Sequence, residues 1–176
     1  MRIFKIIIIP LFIFSSVYLH ALYAEEDRAL YTQAMRAVKE KNFNSAFMDF
    51  KIFLEENPES KLAEGALFAV AEYYFENSDY YDAFYAFNRF LKEHPQSKAR
   101  IFALVYLSEI ARKQNNQELA EKLEKAIISS EQIALLFRES KEFRFRSPFL
   151  KKYLAVYFID RVEFYIDGTP FAQIHY

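Results

Sequence analysis

The sequence predicts an all-α fold: a solenoid of three helical hairpins with a C-terminal capping helix, then a small C-terminal helix and a β-hairpin. Three observations carry that prediction. Asn42–Lys61 (NFNSAFMDFKIFLEENPESK) and Asp79–Lys98 (DYYDAFYAFNRFLKEHPQSK) align at an offset of 37 residues with nine of twenty positions identical, namely Ala46/Ala83, Phe47/Phe84, Phe50/Phe87, Phe53/Phe90, Leu54/Leu91, Glu56/Glu93, Pro58/Pro95, Ser60/Ser97 and Lys61/Lys98. A fixed period of that size marks a stacked repeat. Ala29-Leu30, Ala66-Leu67 and Ala103-Leu104 recur at the same offset within segments of helical periodicity. Finally, Gly65 and Gly168 are the only glycines, which argues against a loop-rich or all-β chain.

Taken in order, Met1–Ala24 has Arg2 and Lys5, then an apolar run from Ile6 to Leu19, then small Ala24 before Glu25-Glu26-Asp27. Charged, apolar and small-residue regions in that order predict a secretory signal peptide over 1–24, cleaved near Ala24 into the periplasm or an equivalent exported space. The alternative is an uncleaved membrane anchor. Crossing the hydrocarbon core takes roughly 20 apolar residues, and this run is shorter and contains Pro10. Without Arg2 and Lys5 the chain keeps 21 basic and 24 acidic residues. That balance gives no electrostatic pull on nucleic acid. Apolar residues make up 53% and aromatics 19%, enough for a packed core, and cysteine is absent. Stability must then come from packing, without disulfides.

Helical segments are expected at about 26–41, 60–77 and 97–114, each followed by a partner at about 44–56, 80–93 and 116–129. The breaks between partners are Lys41-Asn42, Asn77-Ser78-Asp79 and Gln114-Asn115-Asn116, all turn-prone. Pro58 and Pro95 stop the first two hairpins, because proline lacks the N–H and pushes its predecessor out of helical geometry. Ser60 and Ser97 are expected to cap the helices that follow. The units fall at about 25–57, 58–94 and 95–130.

The series Ala46, Phe50, Pro58 and Ala83, Phe87, Pro95 resembles the signature of the tetratricopeptide repeat family: alanine, an aromatic four residues on, and a proline twelve residues after the alanine. Leu30/Ala34, Leu67/Ala71 and Leu104/Ser108 match the large-then-small pair of the family's first helix. The third unit departs in its second helix, where Ala120 remains but Glu124 takes the aromatic position and no proline follows. Period 37 against the usual ~34 adds about one helical turn per unit. The Phe-rich helices and Pro-x-Ser junctions look like the periplasmic repeats of outer-membrane assembly lipoproteins and of envelope-division coordinators. The resemblance implies a protein-protein adaptor or scaffold in building or coordinating the bacterial cell envelope, with envelope proteins as partners. Those lipoproteins have a lipidated cysteine, so its absence here predicts no lipid anchor on cysteine.

By the family's spacing, the inner face would present Arg28, Tyr31 and Met35, then Phe68 and Glu72, then Phe102, Val105 and Glu109. That is more apolar than a solvent face, and exposed apolar patches mark binding sites. Two readings stand: the face binds protein segments, or the C-terminal segment or the core covers it.

Glu131–Glu139 continues as a helix, the expected cap on the last hairpin. Lys141–Lys152 (KEFRFRSPFLKK) holds five basic residues and one acid with phenylalanines between. It reads either as peripheral contact with an anionic membrane surface or as a solvated flank. Ser147-Pro148 predicts a helix start, with helix from 148 to about 159. Val162–Ile166 and Phe171–His175 flank Asp167-Gly168, a hairpin signal. A lone hairpin is marginal in water, so it is expected to pack on the helices or join a partner's sheet.

Catalytic patterns do not emerge. His20, His94 and His175 are scattered, two isolated glycines build no phosphate loop, and no Gly-x-Ser-x-Gly elbow occurs. No enzyme chemistry, metal or cofactor is expected. Beside the adaptor stands one alternative, a self-associating or complex-forming envelope component with no peptide groove.

Overall fold

The structure is a computed structural model and describes residues 28–129 and 141–176. The expected signal peptide over 1–24 and capping helix over 131–139 lie outside the described residues. Six helices are described: α1 (28–39), α2 (Phe43–Glu56), α3 (Ala63–Glu76), α4 (Tyr80–Glu93), α5 (Arg100–Lys113) and α6 (Gln117–Ser129). They form three hairpins in which each helix from α2 onward packs on the next.

The 37-residue period is written into the backbone. Lys41, Ser78 and Asn115 all adopt left-handed geometry, with φ of 60°, 61° and 58°. Each is followed by an amide that reaches back to close the preceding helix: Asn42 N–H to Ala37 O, Asp79 N–H to Tyr74 O, and Asn116 N–H to Ala111 O. This is a Schellman ending, which satisfies carbonyls the helix leaves orphaned. The same residues then start the next helix. Asn42 Oδ1 accepts from Ser45 N–H at 3.2 Å, and Asn116 Oδ1 from Leu119 N–H at 3.1 Å. One residue pair therefore ends a helix, turns the chain and caps its partner.

The junctions between hairpins differ from expectation. The helices end at Glu56 and Glu93, two residues before each proline. Ser60 and Ser97, however, do not cap α3 and α5, whose N-caps are Leu62 and Ala99 without side-chain bonds. Each serine instead accepts from the amide two residues on, Leu62 at 3.3 Å and Ala99 at 3.0 Å, and so fixes a turn ahead of the helix. Ser97 Oγ also donates to Glu64 Oε1 at 2.6 Å, tying this junction to the start of α3.

In the third unit a polar pair replaces the small/aromatic pair. Ser108 Oγ donates to Glu124 Oε1 at 3.0 Å, and Arg112 Nη2 donates to the same oxygen at 2.6 Å. Ser108 is buried, so its hydroxyl needs that partner.

The C-terminal segment, residues 141–176, corrects the all-α prediction. It is a four-stranded antiparallel meander, β1 (Lys141–Arg146), β2 (Lys152–Tyr157), β3 (Arg161–Ile166) and β4 (Thr169–His175), in the order β1-β2-β3-β4. The helix expected over 148–159 is strand β2 and the loops flanking it. Ser147 N–H bonds Lys151 O and Leu150 N–H bonds Ser147 O, with Leu150 at φ 64°, so Ser147-Pro148 opens a tight loop rather than a helix. Along β2 the burial alternates: Tyr153, Ala155 and Tyr157 face the helices.

The β3–β4 hairpin forms where its turn residues place it. Asp167 (φ 51°) and Gly168 (φ 83°) both lie at positive φ, as a two-residue type I′ turn requires. Asp167 Oδ1 accepts from Lys152 N–H at 2.9 Å and anchors the turn to β2. Gly168→Val should cost about 1–2 kcal/mol, from the left-handed strain on a side-chain-bearing residue. Urea denaturation against wild type checks it, and an unchanged midpoint would disprove the strained turn. A β-bulge at Phe164/Tyr165 shifts the β4 register, and Phe171 lies against Tyr106 and Phe75, with ring centroids 5.0 and 6.0 Å apart.

The sheet packs on α3 and α5, and this explains their composition. In α5 ten of fourteen residues are buried, and in α3 eight of fourteen. A helix buried nearly all round must be apolar nearly all round. Among the described residues, no helix is long and apolar enough to cross a membrane.

Candidate functional site

The eight first-helix residues occupy equivalent positions in the repeat, and the structure sorts them by depth. Tyr31, Phe68 and Val105 form one row. Tyr31 is half-buried, its ring edge-on to Phe50 and Phe53, and burial pushes its hydroxyl pKa up. Phe68 is fully buried beneath Phe145 and Tyr153 of the sheet, and Val105 is buried as well. Phe102 is buried against Phe145, Tyr153 and Phe164. Arg28 is exposed and Met35 half-buried. Glu109 pairs with Arg112 at 3.0 Å near the surface. The chain's own sheet thus occupies the α3 and α5 part of the face.

Glu72 is the exception within the covered part. Its carboxylate is 1% exposed and sits at the centre of a polar node. Tyr153 Oη donates to Glu72 Oε1 at 2.6 Å, and the Tyr106 and Tyr153 hydroxyls are 2.8 Å apart. Tyr153 has one proton and gives it to Glu72, so Tyr106 is the donor in the second bond. Lys151 Nζ lies 3.5 Å from Glu72 Oε1 and 2.8 Å from Glu76 Oε1. Burial raises the Glu72 pKa above its ordinary value. The Lys151 charge and the bonds from Tyr153 and Ser147 pull it back, while Glu76 adds to the rise. Burial and the Glu72 charge likewise hold the Tyr153 and Tyr106 hydroxyls well above the usual phenol range. Although the Ser147 hydroxyl is close enough to act on Glu72, neither Ser147 Oγ nor Glu72 Oε2 makes a hydrogen bond of good geometry. Both atoms are buried. A buried polar atom without a partner is uncommon and costs stability.

Beside this node is a pocket of about 260 Å³. Its floor is Glu72, with Lys151 and Glu76 alongside. Its walls are the rings of Phe43, Tyr73 and Phe149, and Asn44 and Asn77 complete the lining. The elements that build it are the start of α2, the end of α3 and the β1–β2 loop. Phe149 is seated edge-on to Phe43 and Phe50, with centroids 5.8 and 5.9 Å apart, and lies near-parallel to Tyr73. Tyr73 Oη donates to Asn44 Oδ1 at 2.6 Å, which fixes that wall. Phe43 is 45% exposed and the Glu76 side chain 51%, so both reach solvent. Of the pocket's lining, the repeat spacing points to Glu72 and not to Phe149 or Lys151. Their signal was the aromatic and cationic content of Lys141–Lys152, which reads in sequence as a membrane-contact stretch or a solvated flank.

A second apolar surface lies on the second helices, where Met48 and Ile52 of α2 and Tyr81 and Tyr85 of α4 are exposed. Among the described residues no group of His, Cys, Asp or Glu side chains could hold a metal ion.

In the Lys141–Lys152 stretch, Phe143 and Phe145 turn inward onto Tyr157 and Phe68 while Glu142, Arg144 and Arg146 point out. Arg144 and Arg146 therefore lie on the face of β1 opposite the phenylalanines, while Lys141 shares the Phe143 side with its Nζ 4.7 Å from that ring's centre. The inward half of the alternation serves the core.

The family described as "YfiO: Outer membrane lipoprotein" matches residues 23–172 of the 176. No curated protein matches the chain. A family so described belongs to the cell envelope. It also corrects the expectation of no lipid anchor: that exclusion rested on one residue type, and the lipoprotein family overturns it.

Proposed function

The chain belongs to the YfiO outer membrane lipoprotein family, and from that premise we propose that it is an exported, non-enzymatic adaptor that holds protein segments of envelope partners. Its three helical hairpins form a short solenoid, and the role is assembly or maintenance of the cell envelope. The leader is removed near Ala24 and the body works in the periplasm. Phe68 and Phe102 serve as the seat for the C-terminal sheet, and Glu72, itself buried, is the polar anchor beneath the pocket that a partner enters. The observation that carries this reading is the pocket beside Glu72, where Phe43, Tyr73 and Phe149 wall a space that the sheet leaves uncovered. Aromatic groups that reach the surface around a buried polar anchor, as exposed Phe43 and half-buried Tyr73 and Phe149 do here, are what interface centres are made of.

The test places a photo-crosslinking phenylalanine analogue at Phe43, and separately at Ile159, which is 85% exposed beyond β2. Irradiated envelope fractions should give a discrete adduct from position 43 and none from 159. Identical adducts from both positions, or none from 43, would sink the proposal.

Self-association is the second reading, and the exposed Met48, Ile52, Tyr81 and Tyr85 favour it. Light scattering separates the two. A monomer supports the adaptor, and a stable oligomer that crosslinks through position 85 supports self-association.

A further inference from the structure

We propose that the pocket beside Glu72 is a receptor for a cationic side chain, an arginine presented by a partner protein. The inference deepens the adaptor reading and rests on it. It begins with Glu72 Oε2, a buried oxygen that accepts no hydrogen bond of good geometry, although the Ser147 hydroxyl is close enough to act on this carboxylate. Tyr153 and Lys151 both address the other oxygen, Oε1. The unmet need at the pocket floor is therefore a hydrogen-bond donor.

Charge points the same way. Two carboxylates, Glu72 and Glu76, share one cation, Lys151, so the ionised pocket keeps a formal negative charge. Its walls are the rings of Tyr73, Phe149 and Phe43, and aromatic faces attract cations. Arginine answers all three features together. Its planar guanidinium stacks on aromatic rings, carries several donors in a fixed fork, and is more weakly hydrated than an ammonium. The 260 Å³ of space exceeds a single water, whose share of liquid volume is about 30 Å³, and suits a side chain entering past Phe43.

The experiment titrates acetyl-Gly-Arg-Gly-amide into the full chain, with the citrulline peptide as a neutral match in shape. Amide chemical shifts at Tyr73, Phe149 and Lys151 report the pocket. Saturable shifts there with the arginine peptide, and binding at least tenfold weaker with citrulline, are expected. Glu72→Gln should weaken the arginine peptide by about tenfold, and Glu76→Gln at the rim, with little risk to the fold, by about threefold or more. Equal binding of the two peptides, or shifts confined to other surfaces, would overturn the assignment. If the peptide fails while position 43 still crosslinks a partner, the cation receptor falls and the adaptor reading stands. Loss of both would remove the two together.

Discussion

Phe68→Ala is expected to destabilise the fold by about 3–5 kcal/mol, the range for removing a fully buried aromatic ring from a core. Phe68 is completely buried, and its ring lies edge-on to Phe87 and Phe90 of α4, Tyr106 of α5, Phe145 of β1 and Tyr153 of β2. Two of those partners belong to the sheet and three to the helices, so truncation opens a cavity where the two layers meet. Chemical denaturation followed by circular dichroism measures the loss. Were Phe68 part of an open binding groove instead, the cost would be small, because an exposed ring gives up little on truncation. A loss under about 1 kcal/mol would therefore contradict the covered face. Leu150→Ala, on the exposed side of the β1–β2 loop, is the matched control and should fall within about 0.5 kcal/mol of wild type.

The helical part was legible because repetition amplifies a weak signal. Ala46/Ala83 and Phe50/Phe87 name the same packing site twice, and Lys41, Ser78 and Asn115 name the same turn three times. The sheet was legible only at Asp167-Gly168, where backbone geometry demands special residues. Strand β2 escaped because Leu154 and Val156 on its outer face are apolar too. The run Tyr153–Tyr157 then shows no polar alternation and reads as a helix as easily as a strand. Strand β1 had the opposite defect. Its alternation of Phe143 and Phe145 with charges was clear, but the charge count drew the reading toward a surface patch. What covers Phe68 and Phe102 depends on contacts across dozens of residues, and no local pattern reports them. The surplus of apolar residues on α3 and α5 was nevertheless the mark of a cover.

The polar node makes the sharpest prediction about pH. Tyr153→Phe keeps the ring but removes the hydroxyl that serves both Glu72 Oε1 and Tyr106. About 1.5–3 kcal/mol should be lost at neutral pH, the scale for a hydrogen bond to a charged group left unmade. The sign of the pH dependence follows from Glu72. Burial raises its folded-state pKa above the ordinary value of 4.5. Its contribution to stability is thus fully present below that value and declines as pH rises through the folded pKa, because the unfolded chain gives up its proton first. The Tyr153 hydroxyl opposes that decline by favouring the carboxylate, as does Lys151. Without it the folded pKa moves further up and the decline grows. The deficit of Tyr153→Phe relative to wild type should therefore be larger at pH 8 than at pH 4. Glu72→Gln should abolish the difference, since glutamine does not titrate. Denaturation of wild type, both single variants and the double variant at the two pH values closes the cycle. A deficit that is equal at both pH values, or that persists in the Glu72→Gln background, would mean that Tyr153 acts by packing alone and that the carboxylate at the pocket floor does not depend on it.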